Sequence, residues 1–156
     1  MSWTVPVIPQ RNPRLCWEAC GRMAWAWRHI NSPEVWSDYT RQAGVFPQMT
    51  SRITQEQMDV YYRQLGMRSF GSSSGASLQQ ALKVSPVVVT STRKARGHAM
   101  VVIGYDMGNY SVIDPSRVYV VDYGEADGLE IPQRASPLPL SEPDVNSTLG
   151  PFIWHW

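Results

Sequence analysis

The chain has 156 residues, enough for one domain to bury a substantial core without metal or disulfide staples. Lys and Arg total 14 against 13 Asp and Glu, and no segment carries a run of like charge, which excludes a phosphate-tracking surface and with it a nucleic-acid partner. Charged residues are only 17% and aromatics reach 11%, with seven tryptophans, which excludes a disordered chain.

The segment Met1 to Gln10 has neither a basic start nor an unbroken apolar run, so no general secretory signal is expected and the protein is expected to be made soluble in a cytoplasm. No stretch of about 18 apolar residues occurs that could span a membrane. Residues 3 to 9 alternate apolar and polar around two prolines and predict an extended edge segment. A helix then begins near Pro13 to Leu15. Leu15, Ala19, Met23, Ala26 and Ile30 recur at spacings of three or four and predict one buried stripe, which Asn31-Ser32-Pro33 ends. Cys16 and Cys20 sit four apart on it, where a disulfide would strain the backbone, so they read as two thiols with separate roles.

Thr54-Gln55-Glu56-Gln57 is a capping box that opens a second helix, running to Leu65 and stopping at Gly66 as a C′ glycine. The run Gly71 to Gly75 predicts a turn joining a helical front half to a sheet-forming back half. A helix over Ser77 to Val84 follows, then a buried strand over Pro86 to Thr90. Strands are predicted over His98 to Tyr105 and Tyr110 to Asp114, joined through Asp106, Gly108 and Asn109, and a fourth over Val118 to Tyr123. Ile131 to Pro143, rich in proline, reads as loop, and Phe152 to Trp156 as a closing strand. No repeats occur, and the whole of 1–156 reads as a single domain.

A cysteine nucleophile needs a base, a group to orient that base, and donors for the oxyanion. Of the three histidines, His29 stands 13 residues beyond Cys16, roughly 20 Å along a continuous helix, too far to serve. His155 lies at the chain end between tryptophans and reads as packing. His98 follows Gly97 and opens an apolar strand, where the sheet holds its backbone and the small neighbour leaves room for substrate, so it is the best base.

Gln10 six residues before Cys16-Trp17, then Gly97-His98-Ala99-Met100-Val101-Val102-Ile103-Gly104-Tyr105, then Tyr110-Ser111-Val112-Ile113-Asp114-Pro115, together resemble papain-like cysteine proteases. Two branches are especially similar: the AvrRpt-type effector proteases of plant-pathogenic bacteria and the peptidases that trim double-glycine leaders. The resemblance implies an α+β papain-like fold, a helical N-terminal half with a central helix packed on a twisted antiparallel sheet. It also implies roles: Cys16 as nucleophile, His98 as base, Asp114 as the residue orienting it, Gln10 as oxyanion donor, with Trp17 and Gly97 beside the substrate. The thiolate would be stabilised by the helix terminus and by protonated His98.

Plainer readings stand beside these. Cys20, beside Ala19 and Gly21, is explained by packing, and a zinc site at Cys16 and Cys20 has no metal-type spacing for its further ligands, so no metal or cofactor is expected. Asp114 could cap a turn before Pro115, Gln10 could lie in an exposed loop, and Trp17 could fill core. Trp25, Trp27 and Trp36 read as packing. The favoured activity is endopeptidase on a protein or peptide. An acyltransferase or glutamine deamidase using the same triad, and an idle binding module, are the alternatives. With no pro-segment seen before Gln10, the resemblance further suggests an effector or toxin delivered by a specialised secretion system, with a cognate inhibitor or immunity protein, while a housekeeping peptidase stays open.

One geometric demand follows. A three-residue loop Met107-Gly108-Asn109 pairs Val102 with Asp114, which puts His98 and Asp114 on one face but four residues, about 13 Å, apart, so strong twist or a bend near Gly97 must close the gap.

Overall fold

The computed structural model describes residues 2–8, 10, 14–29, 52–70, 73–92, 97–117 and 137–156. The expected strand at Val118 to Tyr123, the helix stop at Asn31-Ser32-Pro33, and Ile30 and Trp36 lie outside the described residues.

Helix α1, Cys16–Arg28, is buried all along Cys16 to Ala26 and not only on the stripe that the spacing predicts. Two ionic residues share that burial, Glu18 and Arg22, paired at 2.5 Å across one helical turn. Helix α2, Gln55–Gln64, starts as its sequence dictates: Thr54 Oγ1 accepts the Gln57 amide at 3.2 Å, and Gln57 Oε1 accepts the Thr54 amide at 2.8 Å. It ends in a Schellman motif. Gly66, at φ +99°, lets its own amide reach Arg63 O and the Met67 amide reach Tyr62 O.

A short strand β1, Arg68–Phe70, follows, which the sequence did not announce. Helix α3, Gly75–Leu82, begins two residues before the expected Ser77, because Ser74 caps it and forms a second box with Ser77. Strand β2, Val87–Ser91, is buried throughout. Strands β3, His98–Asp106, and β4, Asn109–Ile113, form a hairpin, and Leu138–Ser141 forms β5. Helix α4, Glu142–Thr148, and strand β6, Leu149–His155, complete the chain. The loop expected over Ile131 to Pro143 is therefore corrected where it is described. Pro139 is tolerated because β5 is an edge strand, and Pro143 because it stands in the first turn of α4, where the amide it lacks would be unpaired in any case.

The six strands form one antiparallel sheet in the order β1-β6-β2-β3-β4-β5. Each face carries its own core. On one side Cys20, Met23, Ala24, Tyr62 and Leu65 of the α1 and α2 region pack on Val88, Ala99, Val101, Ile103 and Trp154. On the other, Leu78, Ala81, Leu82 and Val145 of α3 and α4 pack on Val87, Val89, Met100, Val102 and Ile153. Covered on both faces, β2 and β3 have no solvent side to carry polar residues, which is why they read as unbroken apolar runs. The expected arrangement holds, with α1 and α2 in the front half and five of the six strands in the back, where α3 and α4 also lie.

The N-terminal segment is extended as expected: Ser2 bridges to Gly104 and the Trp3 amide donates to Ile103 O at 2.7 Å. These contacts adjoin the place where the β3–β4 register shifts, between Val102 and Gly104.

Candidate active site

Cys16 is the first residue of α1, at the end where unpaired amides and the helix dipole favour an anion. It is 9% exposed. Its sulfur accepts the Ala99 backbone amide at 3.4 Å, a bond from the second residue of β3, and it is also hydrogen-bonded to the His98 side chain. Burial alone would raise this thiol, but the His98 bond, the Ala99 amide, the His98 charge and the Trp17 amide outweigh it and hold the thiol below its ordinary value.

His98 opens β3 directly after Gly97, whose φ of +74° is a left-handed conformation that favours glycine. Its Nε2 donates to Asp114 Oδ1 at 2.6 Å, which leaves Nδ1 as the ring nitrogen for Cys16. Burial pulls the imidazole down, yet the Asp114 bond first, and then Cys16, raise it to about 9. Asp114 is itself held well below the usual carboxylate range, because the His98 and Ser116 bonds overcome burial. The shifts on both partners thus run toward a thiolate beside an imidazolium, with a carboxylate behind the ring.

The bend demanded by the sequence is unnecessary, because the register differs. Met107 and Gly108, both at positive φ, make a two-residue turn in place of the expected three-residue loop, so Asp106 pairs with Asn109. The irregularity after Gly104 shifts the ladder once more, so Val102 faces Val112 and Val101 faces Ile113. Asp114 thus comes level with Met100, two residues from His98 and on the same face. Two residues are about 7 Å of strand, a gap that the two side chains close.

Asp114 also fulfils its plainer reading. It opens a 3₁₀ turn, Pro115–Arg117, and caps it: Oδ1 accepts the Ser116 amide at 2.9 Å and the Ser116 hydroxyl at 2.6 Å. Ser116 is a contributor that sequence reasoning missed. The available signal was Asp-Pro-Ser, in which an aspartate accepts the amide two residues on.

Gln10 is tied to the same turn, its amide donating to Pro115 O at 3.2 Å, while its side-chain Oε1 is buried with no hydrogen-bond partner among the described residues. Trp17, expected beside substrate, is instead 1% exposed: its ring stands edge-on to Tyr61 at 4.9 Å, and its carbonyl accepts the Tyr62 hydroxyl. A side chain so enclosed acts through packing. Gly97 is half-buried beside His98. Cys20 is fully buried, and its thiol is pushed up by burial and by the charges of Cys16 and Asp114. Both cysteines are free thiols. His29 stacks on Trp25 at 4.1 Å, and His155 Nδ1 bonds the Trp156 carbonyl, so both are occupied away from Cys16.

A cavity of about 120 Å³ adjoins His98 and Asp114, but not Cys16, on the α3/α4 side of the sheet. His98 and Asp114 form part of its lining, Val89, Met100, Leu140 and Val145 supply apolar wall, and Arg117 and Asp144 are its charged members. The space suits an apolar group next to a polar, charge-bearing one.

The sequence profile of the family described as "Papain-like cysteine protease AvrRpt2" matches residues 1–124. No curated protein matches the chain. Among solved structures, the double-glycine motif protease of an AMS/PCAT transporter, in complex with its leader peptide, is 14% identical with a TM-score of 0.58, covering 99% of this chain and 91% of that one. The peptidase domain of Streptococcus ComA, a bifunctional ABC transporter involved in quorum sensing, is 17% identical with a TM-score of 0.59, covering 97% and 96%. A C39-like peptidase from Bacillus anthracis is 13% identical with a TM-score of 0.62, covering 98% and 94%. At such identities the likeness is one of fold.

Proposed function

The chain belongs to the AvrRpt2 family of papain-like cysteine proteases, and on that premise we propose that it is an endopeptidase working through Cys16, His98 and Asp114. The observation that carries the reading is the continuous hydrogen-bonded line from the Cys16 sulfur through the His98 ring to Asp114 Oδ1 at 2.6 Å. The Cys16 thiolate attacks the scissile carbonyl, and the negative oxygen that forms is met by the Cys16 amide at the helix start and by the Gln10 carboxamide. Protonated His98 gives its proton to the leaving amine. The same ring, now neutral, takes a proton from water, which cleaves the thioester and restores the thiolate. Asp114 keeps the ring in the tautomer that presents Nδ1 to sulfur and stabilises the imidazolium.

The proposed substrate is a polypeptide. The apolar cavity beside His98 and Asp114 supports this, and so does the leader peptide bound by one structural neighbour. Among the described residues no helix is long and apolar enough to cross a membrane. We infer a role as an effector or toxin acting on proteins of another cell, a setting that the AvrRpt2 family name suggests. The test is mass spectrometry of new protein termini in a proteome treated with the wild type or with Cys16→Ala. New termini confined to the wild type support the peptidase. Glutamine converted to glutamate or to a new amide, without cleavage, would overturn it in favour of acyl transfer.

A further inference from the structure

Three donors converge on a single oxygen of Asp114: His98 Nε2 at 2.6 Å, the Ser116 amide at 2.9 Å and the Ser116 hydroxyl at 2.6 Å. The other oxygen faces Arg117 Nε at 3.9 Å. A carboxylate can rotate about its Cβ–Cγ bond, and any orientation that turns its oxygens out of the plane of the His98 ring nitrogen loses the line to His98. Two donors from one residue, one of them fixed in the backbone, hold the carboxylate in the orientation that keeps an oxygen on the ring. The turn that carries them also takes the Gln10 amide on Pro115 O, so one four-residue unit, Asp114 to Arg117, holds both the partner of His98 and the chain at the oxyanion candidate.

We propose that Ser116 is a positioning residue of this site: its hydroxyl and amide clamp Asp114 Oδ1, and through Asp114 they hold the His98 ring against the Cys16 sulfur. It contacts none of the reacting atoms in the scheme above, and the inference rests on that assignment of Cys16, His98 and Asp114. Without the hydroxyl, Asp114 is a less ordered partner, the imidazolium is less favoured, and the Cys16 thiolate forms at higher pH. Among the described residues, the other titratable groups facing this unit are Cys16 and Cys20 from α1, Arg117 on the turn itself, and Asp144 across the cavity from α4. All four are the same in every Ser116 variant, so a difference between variants reports the clamp.

The measurement is the rate of Cys16 alkylation by iodoacetamide against pH on the full chain, with turnover of a peptide that the proteome experiment shows to be cleaved. Ser116→Ala should move the alkylation midpoint upward and lower the rate at about pH 6 by roughly two- to tenfold, the worth of one modest hydrogen bond. Turnover should fall by a similar factor with KM unchanged, and Ser116→Thr, which keeps the hydroxyl, should restore both. Should Ser116→Ala fold poorly, Ser116→Val against Ser116→Thr makes the same comparison at constant shape. A Ser116→Ala or Ser116→Val protein with the wild-type alkylation profile overturns the proposal, as does a Ser116→Thr variant as impaired as Ser116→Ala. Alkylation needs no peptide, so a shifted profile in a chain that cleaves nothing would sustain the clamp and sink the peptidase instead.

Discussion

Ala99 donates its backbone amide to the sulfur of Cys16 at 3.4 Å, joining the first residue of α1 to the second residue of β3. The bond fixes where the helix end meets the sheet, and it puts the thiol one residue from His98. It also adds a neutral donor that favours the thiolate without itself titrating.

The first prediction concerns the two thiols. Cys16 is held below the ordinary thiol value, whereas Cys20, one turn further along, is pushed well above it by burial. Only the thiolate reacts, so at about pH 6 iodoacetamide should label Cys16 and leave Cys20 untouched. Peptide mapping by mass spectrometry reads the ratio, and equal labelling would remove Cys16 from the role of nucleophile.

The second concerns pH. His98 is raised to about 9 from an ordinary 6.5, so the stability its pairing contributes is fully present below about 6.5 and is lost as pH rises through about 9. Asp114 is lowered from an ordinary 3.8, so its contribution is present above about 3.8 and lost as pH falls through the lower folded value. Urea unfolding of the wild type and of His98→Gln across this range should show a stability gap that is widest from mildly acidic to neutral pH and narrows toward pH 10. A gap that grows above about pH 9 would contradict the charged pair.

The sequence carried the elements whose signals are local. The capping box at Thr54 and the stop at Gly66 are written in consecutive residues, and both stand as read. The blocks around Cys16, His98 and Asp114 were picked out through their likeness to papain-like proteases, and the fold brings these three side chains together. Register was not legible. Whether Met107-Gly108 or Met107-Gly108-Asn109 makes the turn depends on positive φ at Met107, a residue that gives no hint of it, and the second shift near Ile103 adjoins the backbone pairing of Ser2 and Trp3, a hundred residues away in the chain. The two shifts together bring Asp114 to His98. Strand β5 and helix α4 were hidden for a related reason: proline at an edge and in a first helical turn looks locally the same as proline in a loop.

A third prediction concerns Gln10. Its backbone is anchored on Pro115 rather than on Cys16, so loss of the side chain should leave the Cys16–His98 pair alone. Gln10→Ala should keep the wild-type alkylation profile and lower turnover by roughly 10²- to 10³-fold, the usual loss of one oxyanion donor. Full activity in this variant would exclude Gln10 from the oxyanion site. A changed alkylation profile would instead show that Gln10 acts on the thiol.

The last prediction separates orientation from reaction. Asp114 meets His98 at 2.6 Å through the nitrogen that does not face sulfur, so replacing it leaves nucleophile and base in the chain and removes what fixes the ring. Asp114→Ala should therefore retain measurable cleavage where Cys16→Ala retains none, because a misoriented base still samples the productive rotamer while an absent nucleophile has no substitute. The pH profile should move with it. Without the carboxylate the imidazolium loses its main support, His98 falls from about 9 toward its ordinary value, and the thiolate needs higher pH to form. Asp114→Asn is the informative companion, since its carbonyl can still accept from Nε2 and from Ser116 while carrying no charge. It should recover part of the kcat lost in Asp114→Ala, because the ring is oriented again, but little of the pH shift, because the charge is still missing. Full recovery of both would assign Asp114 a purely geometric part, and an Asp114→Ala enzyme with wild-type kcat/KM would reduce the site to Cys16 and His98.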